Sequence, residues 1–242
     1  MKILITGGAS GLGEAISRRL VLLRQAQVTI TYSSSEAEAL ELQSKFHNLK
    51  AVKCDFANVG EVQQLLNLIA KEGLDVLINN AHSTSINKLH FHKLGLEVFE
   101  KSFVHNILPT ISITQAAINT FRQKKYGKII TILSASLLNK PPIGYSEYTA
   151  TKAYLQSLSK SWAAENASFN ITSNCVSPAF MQTKLTSDVD ERIIEEMQNK
   201  HPLKKILSPI EVAEVVAFLC TASQQINGVN IPVNSADNIA GQ

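Results

Sequence analysis

Seven short runs of apolar and β-branched residues, separated by longer segments of helical periodicity, limit the folds open to this chain more than any other feature. The runs are Ile3–Thr6, Val28–Tyr32, Ala51–Cys54, Val76–Asn79, Lys128–Leu133, Ile171–Val176 and Val229–Val233. Most are continuously apolar and do not alternate with polar residues, so the strands they predict are covered on both faces. Between them, Gly13–Arg24 carries Ala15, Ile16, Leu20 and Leu23 at helical spacing. Val59–Lys71 does the same with Val62, Leu65, Leu66 and Ile69, and Glu36–Phe46 follows the same logic. Strand–helix alternation of this kind predicts an α/β fold, a doubly wound parallel sheet with helices on both faces. Neither a linker nor a repeat divides the chain, so a single domain over 1–242 is expected. The charged, helix-like segment Asp188–Lys205 interrupts the alternation before a last helix at Pro209–Cys220. An insertion there predicts a substrate lid over 183–206, with a plain surface helix as the alternative.

Bulk properties exclude several classes. Apolar residues are 45% and charged residues 18% of 242, as in a globular protein. A net charge of +3 with scattered basic residues predicts no nucleic-acid or membrane partner. No apolar run approaches the ~20 residues of a membrane span. Cys54, Cys175 and Cys220 form no CxxC pair, which fits a reducing compartment. The first strand begins almost at Met1, leaving no room for a leader, so a cytoplasmic location is expected. His82, His90, His92 and His105 lie close in sequence but lack a recognisable metal-ligand spacing, and no metal is expected.

Thr6-Gly7-Gly8-Ala9-Ser10-Gly11-Leu12-Gly13 joins the first strand to the first helix. Glycines at 7, 11 and 13 permit a tight turn and close approach of a pyrophosphate, towards which the helix N-terminus directs its N–H groups and positive dipole end. Further along, Tyr148 and Lys152 stand four residues apart in a helical stretch, on one face and about one turn apart. A free tyrosine titrates near ~10, and a nearby ammonium lowers that value towards the working range of an acid–base catalyst. Ser134 closes the strand Lys128–Leu133, where a hydroxyl can stabilise charge developing on a carbonyl oxygen; Ser136 is the alternative.

The spacing GxxxGxG at Gly7, Gly11 and Gly13 resembles the short-chain dehydrogenase/reductase family. So do Asp55, Asn79-Asn80-Ala81, Asn106, Ser134, Tyr148-xxx-Lys152 and Asn174-Cys-Val-Ser-Pro178, in family order along essentially the whole chain. The resemblance implies a Rossmann-type fold and hydride transfer between a nicotinamide and a carbonyl or secondary alcohol. Asn106, Ser134, Tyr148 and Lys152 would be its catalytic residues, with Asn106 holding the lysine through water. It implies a cofactor site built from Gly7, Ser10, Gly11, Leu12, Gly13, Tyr32, Ser33, Ser34, Asp55, Phe56, Asn80, Ala81, Tyr148, Lys152, Pro178 and Thr183, in which Asp55 holds the adenine amino group.

Three departures stand out. His82 takes the place of the family's glycine after Asn-Asn-Ala, and its default reading is a side chain turned outward. Ala179 follows Pro178 where the family has glycine, and Val233-Asn-Ser-Ala236 replaces a Val-Asp-Gly-Gly sequence. At the end of the second strand Tyr32 stands where an NAD site places an acid, and Ser33 and Ser34 follow. NADP(H) is therefore expected over NAD(H). Within the family the chain is most similar to 3-oxoacyl-carrier-protein reductases, through Thr-Tyr-Ser-Ser and Gly-Lys-Ile-Ile-Thr-Ile. The leading expectation for the substrate is thus a 3-oxoacyl thioester or similar ketone. A sugar or polyketide-type secondary alcohol is the alternative, and a cofactor-binding regulatory protein with weak catalysis the second. The resemblance also implies a homodimer or homotetramer, for which Ile111, Ile118, Leu155 and Leu158 are candidate contacts unless they face the sheet. Trp162 is expected in core or subunit packing.

Overall fold

The computed structural model describes residues 1–83, 85–138, 140–183 and 186–236. Its elements in chain order are β1 (Lys2–Ile5), α1 (Gly11–Leu20), β2 (Gln27–Tyr32), α2 (Glu36–Lys45), β3 (Leu49–Lys53), α3 (Val59–Glu72), β4 (Val76–Asn79), α4 (Leu96–Ser102), α5 (Leu108–Lys124), β5 (Gly127–Ile132), α6 (Ser146–Asn166), β6 (Ile171–Pro178), α7 (Glu191–Lys200), α8 (Pro209–Thr221) and β7 (Asn230–Val233). A π-helical turn, Phe103–Ile107, joins α4 to α5. The strands form one parallel sheet in the order β3-β2-β1-β4-β5-β6-β7.

Each expected strand is present within two residues of its expected bounds, because a buried apolar run between helices has nowhere to go but the sheet. Successive residues of β1 show the two-sided burial. Ile3 and Ile5 pack with Ile16, Leu20, Leu42 and Val216 on one face, while Leu4 packs with Leu65, Ile69, Ile113 and Phe121 on the other. Helix α1 stops at Leu20 and does not run on to Arg24. The chain turns there through Leu23 N–H to the Leu20 carbonyl, and Gln25 follows with a left-handed φ of 57°. Leu23 still reaches the core from this turn. Helix starts follow local chemistry: the Asn58 side chain accepts from the Gly60 and Glu61 N–H groups, and Ser208 with Glu211 forms a capping box at α8.

Trp162 is a core residue, packed with Phe121 and Ile171. Leu155 is buried in an intramolecular cluster, and Ile111, Ile118 and Leu158 are half-buried against such clusters. The apolar surface of this region is instead Phe103, Val104, Leu108 and Tyr154, with the Phe103 and Tyr154 rings edge to face at 5.6 Å. The three cysteines are buried and unpaired with one another. Among the described residues no helix is long and apolar enough to cross a membrane.

Candidate active site

Parallel strands all end on the same edge of the sheet, and where the order reverses, between β1 and β4, the following loops diverge to leave a crevice. A cavity of about 1290 Å³ occupies that edge. Its floor is the glycine turn. Gly7 and Gly11 have φ of 65° and 55°, a region costly for residues with a Cβ. A Cβ on Gly13 would stand 1.9 Å from the Gly7 carbonyl oxygen, and one on Gly8 2.7 Å from Ile30 Cγ2. No side chain caps α1: Ser10 occupies the N-cap position without a side-chain bond, so the helix N-terminus faces the cavity uncapped. Asn80 fastens the turn to β4, donating from Nδ2 to the carbonyls of Thr6 (3.0 Å) and Gly7 (2.9 Å).

Of the expected cofactor residues, Gly7, Ser10, Gly11, Leu12, Gly13, Tyr32, Ser33, Ser34, Phe56, Asn80, Ala81, Tyr148, Lys152, Pro178 and Thr183 line this one cavity. Asp55 stands beside it. Its Oδ1 accepts from Ala57 N–H at 2.9 Å, and its own N–H donates to Glu61. The Tyr32 hydroxyl donates to Glu36 Oε1 at 3.4 Å, which brings a carboxylate to the end of the cavity that sequence had shown free of one. A cradle in which a Cβ at Gly8 or Gly13 would clash, an uncapped helix end and a long connected cavity fit a dinucleotide.

At the other end, Ser134 and Tyr148 line the cavity together, and the Ser134 hydroxyl acts on the phenol to favour its ionised form. Ser136 accepts from the Thr149 hydroxyl at 3.4 Å and its N–H donates to Ser134 Oγ at 3.2 Å; of the two serines, Ser134 is the one that acts on the Tyr148 phenol. Lys152 is buried one turn along α6. Its Nζ donates to the Ile132 carbonyl at 3.0 Å and stands 5.7 Å from the Tyr148 ring centroid. Burial pushes the Lys152 ammonium down to about 8. Burial also pushes the Tyr148 phenol up to about 12, a rise that Tyr145 and Glu147 reinforce and the Ser134 hydroxyl opposes. The ammonium was expected to lower that value; Lys152 is not among the groups that shift the phenol, and desolvation of a phenolate is the largest cause.

His82 does not turn outward. Its ring meets Tyr148 edge to face at 5.2 Å, and Tyr145 meets the same ring at 6.0 Å. Burial, with Lys152 nearby, pushes the His82 imidazole down to about 3, so it is neutral wherever the protein is folded near neutral pH. The reason for the inward position lies in the following residue. Ser83 N–H donates to Asn106 Oδ1 at 2.7 Å, drawing the β4 exit loop against the π-helical turn. Asn106 does not line the cavity, and its Nδ2 donates to Ser102 Oγ at 3.3 Å.

Tyr145 was missed by sequence reasoning, although its place three residues before Tyr148 puts both rings on one side of the first helical turn. The segment expected to be a lid contributes Asp188, Ile193, Met197 and Lys200 to the cavity wall, and Asp188 pairs with Lys88 at 2.6 Å. Within the expected lid, Lys184 and Leu185 lie outside the described residues. At the other departures, Ala179 N–H donates to the Val233 carbonyl at 3.0 Å, and Ser235 and Ala236 adopt left-handed φ of 51° and 62° without being glycines. Among the described residues no group of three His, Cys, Asp or Glu side chains is placed to hold a metal.

The family model described as enoyl-(acyl carrier protein) reductase matches residues 7–235. This chain is a short-chain dehydrogenase/reductase. It is 30% identical over 239 residues to a 3-oxoacyl-[acyl-carrier-protein] reductase of Aquifex aeolicus, covering 96% of this chain and 94% of that protein. It is 34% identical over 234 residues to the reductase of the same name from Rickettsia prowazekii, with the same coverage. Its fold is similar to that of YwfH, an NADPH-dependent reductase involved in bacilysin biosynthesis, with a TM-score of 0.86 at 23% identity over 98% of this chain and 99% of that one. The chain is therefore a member of an oxidoreductase family with the Rossmann fold.

Proposed function

We propose that this short-chain dehydrogenase/reductase is an NADP(H)-preferring reductase of 3-oxoacyl thioesters or similar ketones. The observation that carries the reading is the convergence of Ser134, Tyr148 and the buried Lys152 in the same cavity as the glycine cradle. A nicotinamide dinucleotide, when bound, supplies the hydride. The turn from Gly7 to Gly13 would hold its pyrophosphate, Tyr32, Ser33, Ser34, Asp55 and Phe56 its adenosine end, and Asn80, Ala81, Pro178 and Thr183 its nicotinamide end. Tyr148 Oη gives a proton to the carbonyl oxygen in reduction and takes it back in oxidation. The Ser134 hydroxyl donates to the same oxygen, and Lys152 sets the charge around the phenol. Asn106 is the fourth member of the set, acting through the loop it holds.

Hydroxyls at Ser33 and Ser34 favour a 2′-phosphate over a bare ribose, whereas the Glu36 carboxylate opposes it and keeps the preference modest. The apolar outer wall, including Ile86, Ile143, Phe180, Ile193 and Met197, favours an acyl chain over a sugar. The relatives named 3-oxoacyl-[acyl-carrier-protein] reductases point the same way. The segment 183–206 serves as the lid, and the surface of Phe103 and Tyr154 pairs copies of the chain.

The test is oxidation of NADPH and of NADH with a panel of 3-oxoacyl thioesters, simple ketones and ketoses, on the wild type and Tyr148→Phe. Turnover of thioesters with NADPH, lost by ~10²-fold or more in the variant with cofactor binding kept, is expected from removal of a general acid. Near-wild-type turnover by Tyr148→Phe would overturn the assignment.

A further inference from the structure

Four polar side chains form a buried line behind Tyr148. Glu147 Oε1 accepts from Thr151 Oγ1 at 3.1 Å, Thr151 Oγ1 lies 2.9 Å from Ser102 Oγ, and Ser102 Oγ accepts from Asn106 Nδ2 at 3.3 Å. Glu147, Thr151, Ser102 and Asn106 are all buried. Helices α4 and α6 carry the line between them, and the π-helical turn places its last member.

The direction of every bond follows from its first member. Thr151 Oγ1 donates to Glu147 Oε1, which spends its single hydroxyl proton. The contact between Thr151 and Ser102 therefore runs from Ser102 to Thr151. Ser102 has then spent its own proton and can only accept from Asn106, which must present Nδ2 to it. The Asn106 carbonyl oxygen is thereby turned towards Ser83, whose N–H it accepts at 2.7 Å. An amide turned over would set its NH₂ group against that N–H, losing the bond. Ser83 follows His82, whose ring rests on Tyr148. The line begins at the residue before Tyr148 and returns to the Tyr148 ring.

We propose that Glu147, Thr151 and Ser102 are positioning residues, whose ordered hydrogen bonds fix the orientation of Asn106 and so hold the His82 loop, and with it the Tyr148 ring, in register for proton transfer. This rests on Tyr148 being the proton-transfer residue. The bland alternative is that the same groups only satisfy one another between two packed helices.

The two readings differ in coupling. Links in series fail together, so Thr151→Val, Ser102→Ala and the double variant should each lower kcat by about ten-fold, with KM for the cofactor unchanged, whereas independent packing losses multiply. Thr151→Ser restores kcat. A readout independent of turnover is hydrogen exchange at the Ser83 amide, which should quicken by about ten-fold in Thr151→Val and Ser102→Ala and not in Thr151→Ser. Should Thr151→Val fail to fold, Ser102→Ala against wild type carries both measurements. Turnover within two-fold of wild type in the single variants overturns the proposal, as does a multiplicative double variant or unchanged exchange at Ser83. Tyr148→Phe is run beside them: if it stays active, the reading of Tyr148 fails; if it alone is inactive, only the positioning line fails.

Discussion

Replacing His82 with Gln should make the protein less sensitive to acid, by an amount that follows from the burial of the imidazole. In the unfolded chain a histidine titrates near ~6.5, whereas in the folded protein burial, with Lys152 nearby, holds His82 down to about 3. The folded value is depressed, so below pH 6.5 the unfolded chain binds a proton that the folded one refuses. Stability then falls as pH falls from 6.5 towards 3 and is not affected by His82 above that window. Linkage gives a slope approaching ~1.4 kcal/mol per pH unit, which integrates to about 2 kcal/mol at pH 5. That figure depends on the unfolded histidine alone, as long as the folded group titrates well below 5. The assay is urea unfolding of wild type and His82→Gln at pH 7, 6 and 5. The stability difference between them should shift towards the variant by about 0.7 kcal/mol at pH 6 and about 2 kcal/mol at pH 5, relative to pH 7. A difference independent of pH would refute the burial of a neutral imidazole against Tyr148. For the same reason the pH–rate profile of the wild type should carry no histidine limb near 6.5.

Two further outcomes are expected. Gly13→Ala drives a Cβ into the Gly7 carbonyl, which also accepts from Asn80, so the cradle must open; a loss of about 1–3 kcal/mol in stability and at least ~10-fold in NADPH affinity should appear in melting and fluorescence titration, and wild-type values for both would remove the cradle from the cofactor site. Phe103→Asp places a charge in the exposed apolar surface with Tyr154, and sedimentation velocity should show a wild-type oligomer reduced to smaller species; a wild type that is monomeric at micromolar concentration would remove the self-pairing surface.

Local chemistry made much of this protein legible in its sequence. Continuous apolar runs such as Val76–Asn79 and Ile171–Val176 can satisfy their backbones and bury their side chains only inside a covered sheet. The turn from Gly7 to Gly13 announces itself because the residues that permit a close approach are adjacent in the chain, and the four-residue spacing of Tyr148 and Lys152 is a property of a helix by itself. What tertiary structure decided are contacts between residues distant along the chain, for which no spacing speaks. Ser134 rather than Ser136 meets Tyr148 because of how β5 ends against α6. His82 faces inward because Asn106, carried by a different element, accepts the Ser83 N–H. Tyr148 is pushed up because burial, which only packing creates, disfavours a phenolate by more than the Ser134 hydroxyl offsets.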